Sequence, residues 1–179
     1  MDEPSKQLLG PEEIAEAVER LAAQIREQKA GKAICLVGIR SRGDEVAERI
    51  CNILAEGDEE LSLGVLDISL YRDDFEHLHE NPKLQGSDIP FTVDGAEIIL
   101  VDDVLFTGRT IRAALDALCD YGRPAKIELA TLIDRGHREM PVQPNYVGFE
   151  LQTSRRDHVL VSLLETDGKD QVEIVPKDQ

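Results

Sequence analysis

Ile98-Ile99-Leu100-Val101-Asp102-Asp103-Val104-Leu105-Phe106-Thr107-Gly108-Arg109-Thr110 is the stretch on which the reading of this 179-residue chain turns. Four consecutive apolar residues suit a strand buried on both faces of a sheet. Beyond Thr110, Ile111, Ala114, Leu115 and Leu118 recur at helical spacing, so the segment reads as strand, polar loop, helix. A helix N-terminus leaves about four backbone N–H groups unpaired and carries a partial positive charge. A Thr-Gly-x-Thr turn adds two hydroxyls and lets the backbone come close, which together suit one phosphate group. Asp102 and Asp103, just before it, suit a sugar diol or a Mg²⁺ ion that itself holds a polyphosphate. The plain alternative is two acids capping a strand and an ordinary helix N-cap.

Working outward, Ile14, Val18, Leu21, Ala22 and Ile25 predict an amphipathic helix over 11–29, with Glu12, Glu13, Glu16, Glu19 and Glu27 on its other face. The run 33–39 predicts a buried strand and 44–56 a second helix, with Val46, Ile50, Ile53 and Leu54 inward. Leu66, Ile68 and Leu70 alternate with polar residues and predict a half-buried strand over 63–70. From Tyr71 to Thr92 the pattern stops, and a polar stretch of that length suits a lid or binding loop. A strand follows over 127–133, then short apolar runs at 146–149, 159–164 and 172–175. Strands alternating with helices imply an α/β fold: a mainly parallel central sheet flanked by helices, with the late short strands as an added layer. Three polar clusters, Arg40 to Gly43, Asp102 to Thr110 and Asp134 to His137, fall at strand carboxyl ends, where ligands of such sheets bind.

Composition narrows the function classes. Lys and Arg number 20 against 36 Asp and Glu, a formal net charge of −16, which excludes a protein that coats nucleic acid through generic positive charge. Hydrophobic residues at 41% are enough for one core, so one domain is expected over 1–179. Three scattered cysteines, no apolar signal core and no apolar run near the roughly 18–20 residues of a membrane span predict a soluble cytoplasmic protein without membrane contact. Neither a Walker loop nor a GxGxxG string occurs.

The full string 98–110 resembles the phosphoribosyl-pyrophosphate (PRPP) signature of type I phosphoribosyltransferases. Four more strings in order, Val37 to Gly43, Leu70 to Asp74, Gly122-Arg123-Pro124 and Asp134 to Glu139, resemble the pyrimidine operon attenuator/uracil phosphoribosyltransferase family. Phe106 stands where that family often has Tyr, and Ser41 where Thr is frequent. The resemblance implies the type I phosphoribosyltransferase fold with a small hood built from the late strands. It implies uracil plus PRPP giving UMP and diphosphate, with Mg²⁺ on the diphosphate. Thr107, Gly108, Arg109 and Thr110 would hold the 5-phosphate, and Asp102 and Asp103 the ribose hydroxyls, tied to Mg²⁺ through the substrate. Val104, Leu105 and Phe106 would complete that loop, and Arg40, Ser41, Arg42 and Gly43 would form the diphosphate loop. Arg72, in a flexible loop over about 71–92, would bring positive charge to the diphosphate, with Lys83 beside it. Arg135 would lie near the base or phosphate, and uracil between 134–138 and the strand around Val159.

Members of that family also bind nascent pyrimidine operon leader mRNA when UMP or UTP is present, and form homodimers or larger homo-oligomers. His137 and Arg138 are the implied RNA contacts, while Glu19, Ala23, Gln28, Gln143 and Phe149 stand at positions that are polar or basic in RNA-binding members. Arg20, Arg26, Lys29, Arg155 and Arg156 are the remaining cations that would form a compensating patch. The expectation is a bifunctional attenuator and uracil phosphoribosyltransferase. Its competitors are a salvage enzyme without RNA binding, a UMP sensor without turnover and, more distantly, a purine transferase.

Overall fold

The computed structural model describes residues 5–72 and 86–175. In chain order the elements are β1 (Lys6–Leu9), α1 (Pro11–Gln28), β2 (Ile34–Ile39), α2 (Gly43–Leu54), β3 (Leu61–Leu66), β4 (Glu97–Leu105), α3 (Arg109–Cys119), β5 (Lys126–Asp134), β6 (Tyr146–Glu150), β7 (His158–Ser162), α4 (Leu164–Asp167) and β8 (Gln171–Val175). Five strands form a parallel sheet in the order β3-β2-β4-β5-β6. β1, β8 and β7 form a separate antiparallel sheet, the hood.

Period two along β4 sorts its side chains between two cores. Ile99 and Val101 pack with α1, α2 and the hood, around Ile14, Leu21, Ile50 and Val161. Ile98 and Leu100 pack on the opposite face with Ile111, Ala114 and Leu118 of α3. A strand covered on both faces must be apolar on both, which is why the run 98–101 has no polar alternation.

β2 lies between β3 and β4, and the chain leaves β2 through α2 toward β3 but leaves β4 through α3 toward β5. Adjacent strands whose connections diverge open a crevice at their carboxyl ends. Gly43 is what lets that crevice be narrow at its floor. A Cβ there would lie 2.5 Å from the Val101 carbonyl oxygen and 3.0 Å from the Asp102 Cα, so only glycine lets the start of α2 touch the end of β4.

Several expected boundaries move. β4 runs to Leu105 instead of ending at Val101, so Asp102 to Leu105 belong to the strand and not to the loop: Asp102, Val104 and Leu105 pair with Thr131, Ile133 and Asp134 of β5. β3 ends at Leu66 because the Asp67 carboxylate accepts the Ser69 N–H at 2.9 Å and turns the chain. The run at 146 does not join the late layer; β6 extends the main sheet beside β5. Most of the stretch 71–92, with Asp73, Asp74, His77, His79 and Lys83, lies outside the described residues. No helix among the described residues is long and apolar enough to cross a membrane.

Candidate active site

Three chain segments meet at the crevice. The first follows β2: Arg40, Ser41 and Arg42 precede α2, the Arg40–Ser41 peptide is cis, and Arg42 adopts φ 72°. Arg40 donates from Nε to the Gly86 carbonyl at 3.0 Å and faces the Asp44 carboxylate at 3.7 Å. Arg42 forms a two-pronged bond with the hood: Nε to Asp167 Oδ2 at 3.0 Å and Nη2 to Asp167 Oδ1 at 2.8 Å. Ser41 is exposed.

The second segment is the end of β4 and the loop into α3. Asp102 is buried, and its Oδ1 accepts the Asp103 N–H at 2.9 Å; Asp103 Oδ1 accepts the Val104 N–H at 2.8 Å. Burial pushes the Asp102 carboxyl well above the usual carboxylate range, and the neighbouring Asp103 charge pushes it further. Burial also raises Asp103, offset in part by its hydrogen bonds and by the Arg42 charge. Gly108, at φ 90°, is the N-cap of α3, a left-handed position that glycine adopts without strain. The turn is braced from behind: the Thr107 carbonyl accepts N–H groups of Glu139 at 2.8 Å and Met140 at 2.9 Å. Asp102, Arg72, Phe106, Thr107 to Thr110 and His158 line one cavity of about 370 Å³.

The third segment, after β5, supports the site from outside that cavity. Arg135 is buried, and its guanidinium lies 4.0 Å from the centroid of the Phe106 ring. Its Nη1 donates to the Asp157 carbonyl at 2.8 Å and its Nη2 to Ser154 at 2.9 Å, so both groups are held by backbone. Arg135 therefore reaches the cavity through Phe106. His137 Nε2 donates to the Thr153 carbonyl at 2.7 Å. Arg138 donates to the carbonyls of Val142 and Phe106, each at 2.9 Å, and pairs with Asp134 at 2.8 Å. In this chain both residues brace the loop.

On the strand where the sequence places uracil, the Val159 side chain is buried in the core shared with α1 and α2, and its neighbour His158 lines the cavity. Alternation along β7 was the available signal: with Val159 and Val161 inward, His158 must face the other way. Four of the five scattered cations are held by neighbouring groups, and Arg156 is exposed. Arg20 donates to the Gly148 carbonyl, Arg26 pairs with Glu59 at 2.5 Å, and Arg155 with Glu139 at 3.1 Å. Lys29 is buried between Glu97 at 2.8 Å and Glu128 at 2.6 Å. Among the described residues no group of three or more His, Cys, Asp or Glu side chains is placed to hold a metal by itself.

A phosphoribosyl transferase domain matches residues 4–166, which span both flanking segments and the acid–Thr-Gly turn. The chain belongs to the phosphoribosyl transferase family. Within that family its relatives include the bifunctional protein PyrR of Chloroflexus aurantiacus, 49% identical over 172 residues that cover 95% of this chain and 94% of that protein. The bifunctional protein PyrR of Thermus aquaticus is 47% identical over 174 residues, 96% of each chain. A hypoxanthine-guanine phosphoribosyltransferase from Bacillus anthracis superposes with a TM-score of 0.72 at 19% identity, covering 98% of this chain and 99% of the other. At that identity the likeness shows the phosphoribosyl transferase fold, and the base is left to be argued from the PyrR relatives.

Proposed function

We propose that this chain transfers the ribose 5-phosphate of PRPP to uracil, giving UMP and diphosphate, and that it also binds pyrimidine operon leader RNA in a uridine-nucleotide-dependent manner, as a transcription attenuator. The observation that carries the enzymatic half is that Asp102, the Thr107 to Thr110 turn and Arg72 line one cavity together. The resemblance to PyrR proteins supports uracil as the base and RNA as the second ligand.

Each part of the donor has a matching group. The N–H groups at the start of α3, with the Thr107 and Thr110 hydroxyls, take the 5-phosphate, where the helix dipole favours a dianion. Asp102 and Asp103 accept hydrogen bonds from the ribose hydroxyls, and the backbone of 40–43 with Arg42 and Arg72 takes the diphosphate. Bond breaking places positive charge on the anomeric carbon and negative charge on the leaving diphosphate, so cations fixed beside the diphosphate lower the barrier without any covalent intermediate. Phe106, backed by the Arg135 guanidinium, offers an apolar wall beside the reacting sugar. Two adjacent carboxylates are hard oxygen donors that fit Mg²⁺, and with no third protein ligand among the described residues they would share the ion with substrate oxygens. When bound, Mg²⁺ supplies charge neutralisation of the diphosphate.

Formation of UMP from labelled uracil and PRPP tests the enzyme. Asp103→Asn is expected to lower kcat/KM about 10²- to 10³-fold; UMP binding with no turnover in the unsubstituted protein would leave only a nucleotide sensor. Filter binding of the leader RNA with and without UMP at fixed salt tests the regulator. The pairing of Arg20, Arg26, Lys29 and Arg155 with neighbouring groups favours a second reading, a salvage enzyme without RNA binding, and absence of RNA retention both with and without UMP would support it.

A further inference from the structure

The contact between α2 and the short turn α4 is more elaborate than packing requires. Arg49 binds Glu165 at 2.6 Å and Asp170 at 2.8 Å, the Thr166 hydroxyl donates to Glu45, and Arg42 takes both oxygens of Asp167. Asp167 is itself fixed, because its Oδ2 also accepts the Leu163 N–H at 2.8 Å. The hood, which contributes His158 to the cavity lining, is thus bonded to the loop proposed above to receive the diphosphate.

Asp167 uses one edge of the Arg42 guanidinium, formed by Nε and Nη2. The other edge, Nη1 with the second Nη2 hydrogen, makes no hydrogen bond among the described residues, and Arg42 is part-exposed. A planar five-donor fork held on one edge by a carboxylate presents its opposite edge in a fixed plane, suited to two oxygens of a phosphate group. An unheld Arg would have to surrender its rotamer freedom when the ligand arrives, and Asp167 removes that cost beforehand.

We propose that Asp167 is a positioning residue for the transfer: it aims Arg42 at the diphosphate of PRPP, and through this contact the hood and the diphosphate loop act as one unit. This rests on the transferase reading above. The alternative role, an internal anion that competes with substrate for Arg42, predicts the opposite sign.

The test uses the full-length protein and two readouts, the KM for PRPP at saturating uracil and the Kd of inorganic diphosphate with Mg²⁺ by titration calorimetry. Asp167→Asn keeps an acceptor for the Leu163 N–H but loses the ionic fork, and is expected to raise both constants about five- to tenfold. Asp167→Glu should recover part of the loss. In an Arg42→Ala background, Asp167→Asn should have no further effect on either constant. Glu165→Gln weakens the same α2–α4 contact without touching Arg42, and is expected to lower Tm while leaving both constants unchanged. Unchanged or tighter diphosphate binding in Asp167→Asn, or an equal loss in Glu165→Gln, overturns the proposal. Failure of the unsubstituted protein to bind diphosphate or form UMP would instead overturn the transferase reading, and this inference with it.

Discussion

Gly43 illustrates how much of the site rests on one missing methyl group. Its Cα sits where a Cβ would be 2.5 Å from the Val101 carbonyl oxygen, a backbone atom that cannot swing aside as a side chain can. Gly43→Ala must therefore push α2 off β4, at the point where the proposed diphosphate loop meets the acid pair. Overpacking of this kind costs about 1–3 kcal/mol; the expected outcome is a lower urea midpoint together with a raised KM for PRPP. A lower midpoint with an unchanged KM would show that the crevice tolerates the shift. Phe106 makes a different demand. Stacked on Arg135, it keeps a buried guanidinium against an aromatic face, an arrangement worth about 0.5–2 kcal/mol. Phe106→Leu is expected to lose that stability and to weaken uracil binding more than PRPP binding, read as a larger change in the KM for uracil. Phe106→Tyr should be close to neutral on both.

Among the elements, β5 depends on a buried charge cluster at the end of the sheet away from the site. Glu128 accepts hydrogen bonds from Lys29 at 2.6 Å, from Lys126 at 2.8 Å and from the Tyr146 hydroxyl. Burial alone would raise its pKa, but the hydrogen bonds from Lys126, Lys29 and Tyr146 outweigh it and hold the carboxyl down to about 2, against 4.5 for the free group. A folded pKa below the unfolded one means that this stability is fully present above about pH 4.5 and is lost as pH falls toward 2. The shift corresponds to about 3 kcal/mol. Urea unfolding from pH 7 down to pH 2 is expected to show this loss, and Glu128→Gln should remove it while lowering stability at pH 7 by about 3 kcal/mol, since Lys29 stays buried with Glu97 alone. An acid limb of unchanged depth in that variant would refute the assignment. None of this cluster was legible in the sequence, because Lys29, Glu97 and Glu128 are far apart in the chain and each reads singly as a solvated charge. The apolar runs were legible, since burial on both faces leaves no room for polar alternation. The far end of β4 was not, because Asp102 and Asp103 break the apolar pattern while the ladder to β5 continues. β1 was missed for a related reason: Lys6 to Leu9 becomes a strand only by pairing with β8, more than 160 residues away. At the site, the motif located the acids and the Thr-Gly turn, but the Arg42–Asp167 fork depends on how the hood closes.

For the whole molecule, the net charge of −16 sets the terms on which any RNA can approach. Several cations of α1 and of the segment after β6 already have partners: Arg20, beside Gln24, holds the Gly148 carbonyl as Gln24 holds that of Val147, capping the open edge of the sheet, and Arg26, Lys29 and Arg155 are paired with acids. Edge strands need such protection, so these side chains have a structural task that competes with phosphate binding. Each phosphate neutralised by a cation steepens the fall of log K with log salt by about 0.7–0.9. A family member binding RNA through a basic face would show a slope set by many such contacts. This chain is expected to show a slope no steeper than about −2 in filter binding of the leader RNA between 50 and 200 mM salt, which corresponds to roughly two to three phosphate contacts at most, with the remaining affinity supplied by uncharged hydrogen bonds and stacking. Arg20→Ala should then cost stability through the exposed β6 edge and leave the salt slope unchanged. A slope near −5, flattened by Arg20→Ala, would instead mean that RNA draws these cations away from their internal partners.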